Sequence, residues 1–188
     1  ESDSGPAVIY REPEEGVPYV VGGDTAGEGS DYSVGQVVDN VTGEQVCTLR
    51  GRMDEDVFAK QLYCLGLYYN GALLSVEANF SSYPIRELER LRYLRQFVRQ
   101  AEDSYTHRLR DAYGFRTTAV TRPVAIAGLV EVVREHPEWL NDKDTLEEML
   151  TFARNEKGRA EAQAGAHDDC VMALAIAYYS REQQSVFR

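Results

Sequence analysis

The sequence predicts an α/β fold in which helices flank a mixed central β-sheet, with an antiparallel meander at the N-terminal end. Three observations predict it. Three short strand-like runs come first, separated by Gly-, Asp- and Asn-containing reversals. After Arg50 the apolar spacing changes from strand-like to helical. A strongly apolar stretch, Val171 to Tyr179, then ends the ordered pattern as an inward-packing helix.

Residues 1–16 hold Gly, Pro, Ser and a Glu-Pro-Glu-Glu run and read as a linker or flexible arm. The domain is expected over residues 17–182, with a tail at 183–188. Tyr19 to Gly23 form a short buried strand ending in Asp24, and Thr25 to Asp31 a turn. Tyr32 to Asp39 is the second strand, Asn40 to Gly43 the reversal, and Gln45 to Arg50 the third strand. Asp54 to Tyr69 reads as a helix with Val57, Phe58, Leu62, Leu65 and Tyr69 on one stripe and Asp54 placed to cap it. Asn70-Gly71 stops it, and Ala72 to Val76 is a compact strand whose end presents Glu77. Pro84 to Arg92 is helical, with Pro84 suited to a first turn. Leu94 to Val98 and Phe115 to Val120 read as strands, while residues 99–114 carry no clear pattern. Helices are expected at Arg122 to Glu135 and Asp144 to Phe152, then a hairpin with Asn155 to Gly158 at its turn, then the closing helix from Asp168 to Ser180.

The 188 residues suffice for one core, and 43% apolar residues is ordinary for a globular chain. No run approaches the roughly 18 apolar residues of a bilayer span. Glu1 is not a natural start residue, so an upstream segment is expected. Cys47, Cys64 and Cys170 lack metal-site or paired spacing and read as buried thiols in a reducing compartment. The net charge of −11 opposes long-range attraction to nucleic acid. Positive charge is nevertheless concentrated, with Arg86, Arg90, Arg92, Arg95, Arg99, Arg108, Arg110, Arg116 and Arg122 close in sequence. Arg makes forked phosphate contacts, although pairing with Glu87, Glu89, Glu102, Asp103 and Asp111 on a solvated face would look the same.

Three carboxylates share a structural trait. Asp24 closes the first strand, Glu77 closes the fourth, and Asp168 opens the last helix. Strand ends at one rim of an α/β sheet converge on a crevice, and a carboxylate beside apolar strands is costly unless paired or metal-bound. Asp24 alone would be an ordinary turn residue, and Asp168 or Asp169 alone an N-cap. Together the acids suit phosphodiester hydrolysis, in which two Mg²⁺ or Mn²⁺ ions about 4 Å apart activate water and stabilise the leaving oxygen. Asp24, Glu77 and Asp168 are the candidate catalytic residues, and with Asp169 the candidate metal ligands. His167 is a candidate auxiliary that orients water or carries a proton, and His107 and His136 are scattered.

The run Val-Gly-Gly-Asp24-Thr-Ala-Gly-Glu-Gly-Ser-Asp31-Tyr-Ser resembles the nuclease domain of the large terminase subunit of tailed bacteriophages, an RNase H-like fold. So do Val38 to Gly43, Phe58-Ala59 with Leu65 to Asn70, Val76 to Asn79, Gly114 to Thr118 and His167 to Leu174. Phe80-Ser81-Ser82-Tyr83 stands where many relatives carry a glycine. The resemblance spans about residues 17 to 180 and implies Asp24, Glu77 and Asp168 as a metal-binding triad. It further implies Asp169 as the accompanying acid and Asp31 as an acid near a second metal. The implied activity is endonucleolytic cutting of double-stranded viral DNA during genome packaging. The implied partners are an N-terminal ATPase domain of the same subunit, the portal and the small terminase subunit. The implied place is the procapsid portal in the host cytoplasm. No Gly-rich loop ending in Gly-Lys-Ser or Gly-Lys-Thr occurs, so the motor domain is not in this chain. Arg86, Arg90, Arg92, Arg95, Arg99, Arg116 and Arg122 are the candidate DNA contacts. A resolvase, a ribonuclease, or an assembly domain that binds metal poorly would use the same frame, while an actin-like ATPase would need a second phosphate loop.

Overall fold

A computed structural model describes residues 5–26, 32–102, 107–154, 160–163 and 167–186. Its main sheet has five strands in the order β1-β4-β3-β2-β5. β2 (Tyr19–Asp24), β3 (Ser33–Asp39) and β4 (Gln45–Gly51) form the expected antiparallel meander, and β5 (Leu73–Val76) lies parallel to β2. The sheet is thus mixed and mostly antiparallel, with helices on both faces. β1 (Ala7–Ile9) pairs with β4, so the segment expected as a linker or arm is tied to the sheet edge from Ala7 onward. Pairing with β4 backbone, rather than burial, holds it there, since all three residues are exposed.

One face carries α1 (Glu55–Tyr68) and α2 (Tyr83–Arg90), which bury Phe58, Leu62, Leu65, Ile85 and Leu88 against Tyr19, Val21, Val37 and Leu74. The α1 stripe is set by Phe58, Ala59, Leu62, Leu65 and Gly66, which turns Val57 outward at 40% exposure and leaves Cys64 exposed. Those two positions depart from the sequence reading; Cys47 and Cys170 are buried as expected. Asp54 stands at the N-cap of α1 but makes no side-chain cap bond; its carbonyl accepts from Phe58 N.

The opposite face carries α5 (Asp169–Val186), with α3 (Thr121–Glu135) and α4 (Lys143–Thr151) packed beside it. Residues Cys170 to Ala177 of α5 are all buried. Burying side chains such as Leu174 and Ile176 contributes about 1.5–3 kcal/mol each. Ser180 Oγ donates to Ser75 Oγ at 2.7 Å, a buried bond that pins α5 to β5. The helix runs past Ser180, and Gln183 and Gln184 bond to Val98 N and the Arg95 side chain, so the expected tail begins inside α5.

Two small hairpins project from this frame. β6 (Val98–Glu102) pairs with β7 (Leu109–Tyr113), where the sequence shows no pattern because polar and charged residues occupy both faces. β8 (Phe152–Arg154) pairs with β9 (Ala160–Ala162), as expected, and its turn lies outside the described residues. The expected Phe115 to Val120 strand shrinks to one bridge, Glu77 to Phe115. Among the described residues no helix is long and apolar enough to cross a membrane.

Candidate active site

Parallel pairing sets the first two acids side by side. Gly23 is in register with Val76, and Glu77 N donates to Gly23 O at 2.8 Å, so Asp24 and Glu77 leave neighbouring strands at the same rim. Strand alternation sends them to the same face. Gly22 meets α5 and Ser75 bonds Ser180 of α5, so Asp24 and Glu77, two residues on in each strand, share the α5 face. A Cβ on Gly22 would lie 2.0 Å from Ala173 O and 2.5 Å from Ala177 N. The glycine therefore lets the α5 backbone rest on β2, which brings Asp168 and Asp169 over the strand ends.

Electrostatics report the convergence. The Asp24 carboxyl is held well above the usual carboxylate range, first by burial, then by the Glu77 charge, the Asp169 charge, a hydrogen bond with Glu77 and the Asp168 charge. Asp24 retains some exposure toward the crevice, but protein surrounds its carboxyl closely enough for desolvation to dominate. The four expected acids thus feel one another at one rim.

Asp168 and Asp169 each have a holder. Asp168 Oδ2 accepts from Arg122 Nη2 at 2.8 Å. Asp169 Oδ2 accepts from Tyr32 N at 3.1 Å and lies 3.8 Å from His167 Nδ1. The His167 ring meets Tyr32 edge-on with centroids 5.9 Å apart. Arg50 stacks 3.8 Å above the Tyr32 ring, and Arg52 approaches it to 5.0 Å. Among the described residues no three His, Cys, Asp or Glu side chains are set to grip one ion. Asp31 lies outside the described residues.

Glu148 was not found by sequence reasoning. Its Oε2 accepts from Cys170 N at 2.8 Å and Val171 N at 3.3 Å, satisfying two of the free N–H groups at the start of α5. Burial pushes its carboxyl up. A network below it fixes α4. Gln45 Nε2 and Thr48 Oγ1 each donate to Gln36 Oε1 at 2.8 Å, Gln36 Nε2 donates to Thr145 Oγ1 at 2.8 Å, and Thr145 Oγ1 donates to Asp142 Oδ2 at 2.6 Å. The cap crosses from one helix to another, so no local motif signals it. Glu148→Ala is expected to cost about 1–2 kcal/mol in chemical unfolding, and an unchanged midpoint would rule the cap out.

The other wall is formed beyond β5. Asn79 Nδ2 donates to Thr117 O at 2.6 Å while Thr117 N donates to Asn79 Oδ1 at 2.8 Å, a reciprocal pair that locks the strand end to the segment after Phe115. Gly114, at φ +87°, turns the chain from β7 into that bridge. The arginines then separate by position. Arg99, on β6, is held below its ordinary value by burial, then by the charges of Arg116 and Arg110, so it lies within the field of both. Arg116 follows Phe115, whose carbonyl accepts from Ala78 N beside Glu77. Arg86 is exposed early in α2. Arg90 is forked onto Glu87 at 2.7 and 2.6 Å. Arg95 bonds Gln184 near the far end of α5, about 22 Å along the helix from Asp169. Arg92 lies in the turn after α2 at φ +59°. His107 meets Glu102, and His136 stacks on Trp139, both away from the acids.

No family model matches the chain, and no curated protein matches it. Solved structures do. The large terminase nuclease from thermophilic phage G20c aligns with a TM-score of 0.70 at 22% identity, covering 95% of this chain and 90% of that chain. Its structure with bound magnesium gives 0.72 at 21% identity, covering 95% and 89%. The Thermus phage P74-26 large terminase nuclease domain gives 0.65 at 23% identity, covering 94% and 86%. The chain shares the fold of these phage large-terminase nuclease structures over most of its length.

Proposed function

We propose that this chain is a metal-dependent endonuclease that hydrolyses phosphodiester bonds of double-stranded DNA by a two-metal mechanism during viral genome packaging. The observation that carries the proposal is the gathering of Asp24, Glu77, Asp168 and Asp169 at one sheet rim, with the Asp24 carboxyl held above the usual carboxylate range by burial and then by the other three. An all-oxygen donor set of this charge fits Mg²⁺ or Mn²⁺. Two such ions, when bound by these four residues, supply an activated water and a clamp on the leaving oxygen.

The chain's own groups divide the remaining work. The raised pKa of Asp24 favours a proton on its carboxyl beside Glu77, and that proton must leave for both carboxylates to act as ligands. Ion affinity is therefore expected to rise with pH through the raised range of Asp24 and to level off above it. Calorimetric Mn²⁺ titrations in buffers of different ionisation enthalpy would show proton release; affinity independent of pH would contradict the shared proton. His167, whose Nδ1 lies 3.8 Å from Asp169 Oδ2, is the proposed auxiliary that orients water or carries a proton on its ring. Arg99, Arg116 and Arg122 are the arginines whose positions best fit the phosphate backbone, and Arg86 flanks them.

Replacing both Arg99 and Arg116 with Ala, in an Asp24→Asn background that binds without cutting, should lower the salt slope of DNA affinity by about 2. Arg95→Ala should leave it unchanged. Fluorescence anisotropy over a salt series measures both, and an unaltered slope in the double variant would remove these residues from the interface. Within the same proposal, a companion ATPase domain, the portal and the small terminase subunit present the DNA at the procapsid in the host cytoplasm. Presentation by partners offsets the net charge of −11.

A further inference from the structure

We infer that Arg122 is a built-in counter-cation of the acidic site, competing with a divalent ion for Asp168 and moving into the adjoining groove when the ion binds. The inference rests on the metal-dependent reading of the site. Arg122 reaches the acids from the start of α3, and its side chain is only 13% exposed, against 30% for Asp168. Nη2 alone makes the contact, at 2.8 Å, and the same nitrogen donates to Ala160 O at 3.1 Å. Its Nε is buried with no hydrogen-bond partner among the described residues.

This is a single-point hold, unlike the forked Arg90–Glu87 pair, where two nitrogens engage two oxygens. A guanidinium held by one nitrogen loses less when displaced than one held by a fork. Room for displacement is present. A groove of about 1000 Å³ runs along α3, lined by Arg122 with Asn79, Thr117, Ile126, Val130 and Ala160. The charge arithmetic gives the direction. Four carboxylates crowded at a rim repel one another, and a neighbouring cation relieves that repulsion. An incoming ion performs the same neutralisation more strongly, so the two cations oppose each other at Asp168.

The test is calorimetric binding of Mn²⁺ alone to the intact chain, comparing wild type with Arg122→Gln, Arg122→Met and Arg122→Lys, each checked by its unfolding temperature. The two neutral variants should bind the ion about tenfold more tightly, while Arg122→Lys, which keeps the charge, should stay near wild type. Having two neutral variants keeps the test open if one does not fold. Ion binding by the neutral variants and not by wild type would support competition in its strongest form. Equal or weaker binding without the charge would overturn the inference while leaving the metal site standing. If no variant and no wild-type protein binds Mn²⁺, the metal-dependent reading falls, and this inference falls with it.

Discussion

Asp24→Asn is expected to abolish Mn²⁺-dependent DNA cleavage, by on the order of 10³-fold or more, while making the metal-free protein more stable at neutral pH. The two effects have one origin. Asp24 sits in a desolvated position beside Glu77, Asp169 and Asp168, and the fold raises its pKa above the ordinary carboxylate value. In the window between those two values the native chain keeps a proton that the unfolded chain releases. Native stability is therefore greatest below the ordinary value and declines as pH rises through the raised one. Asn keeps the shape and the hydrogen bond without the charge, so it should add about 1–2 kcal/mol at neutral pH. Thermal unfolding in EDTA over a pH series reads the difference, which should vanish in acid. Supercoiled and linear DNA incubated with Mn²⁺, Mg²⁺ or EDTA reads the activity. A fully active variant would dismiss Asp24 as a ligand, and a variant of equal stability at every pH would dismiss the charge crowding.

Gly22→Ala is the second large effect. The added methyl would stand 2.0 Å from Ala173 O and 2.5 Å from Ala177 N, both backbone atoms of α5 that cannot rotate away. The helix must lift from β2, disturbing the close contact between helix and strand and moving Asp168 and Asp169 off the strand ends. The expected cost is about 3 kcal/mol in chemical unfolding, with cleavage lost even in conditions where the variant remains folded. Gly23→Ala is the internal comparison. Its Cβ would meet Val76 and Leu62 side chains at 3.4 Å or more, ordinary contact distances, so the neighbouring substitution should be tolerated. Equal midpoints for the two variants would show that α5 does not bear on Gly22 as described.

Much of this arrangement was legible in the chain. Tyr19 to Asp24 alternates poorly but is small and apolar, which suits a central strand covered on both faces, and it lies between β3 and β5. The acids could be placed because each ends or begins a regular element, and element ends at one rim are close whatever the loops do. Other features were illegible for definite reasons. Residues 98–102 and 109–113 pair with charged side chains on both faces, so periodicity carried no signal. Ala7 to Ile9 joins an edge without being buried. Val57 and Phe58 are adjacent on α1, and the sequence could not say which edge of the stripe faces the sheet. Glu148 and Arg122 act across separations of 22 and 46 residues, where pairing depends on the finished fold. The arginine run divides by location rather than composition: Arg95 belongs to the far end of α5, and Arg99 to the field of Arg116 and Arg110.

The Glu148 cap also bears on how this domain can diverge. The chain leaves α4 at Thr151, forms the β8–β9 hairpin and re-enters at α5, and Glu148 bonds Cys170 and Val171 across the mouth of that excursion. The excursion is closed at its base by contacts that do not involve its tip. Since the entropy of closing a loop grows only slowly with length, lengthening the turn should cost under about 1 kcal/mol. The hairpin is thus a site where insertions can accumulate while both helices, and the acids α5 carries, keep their places.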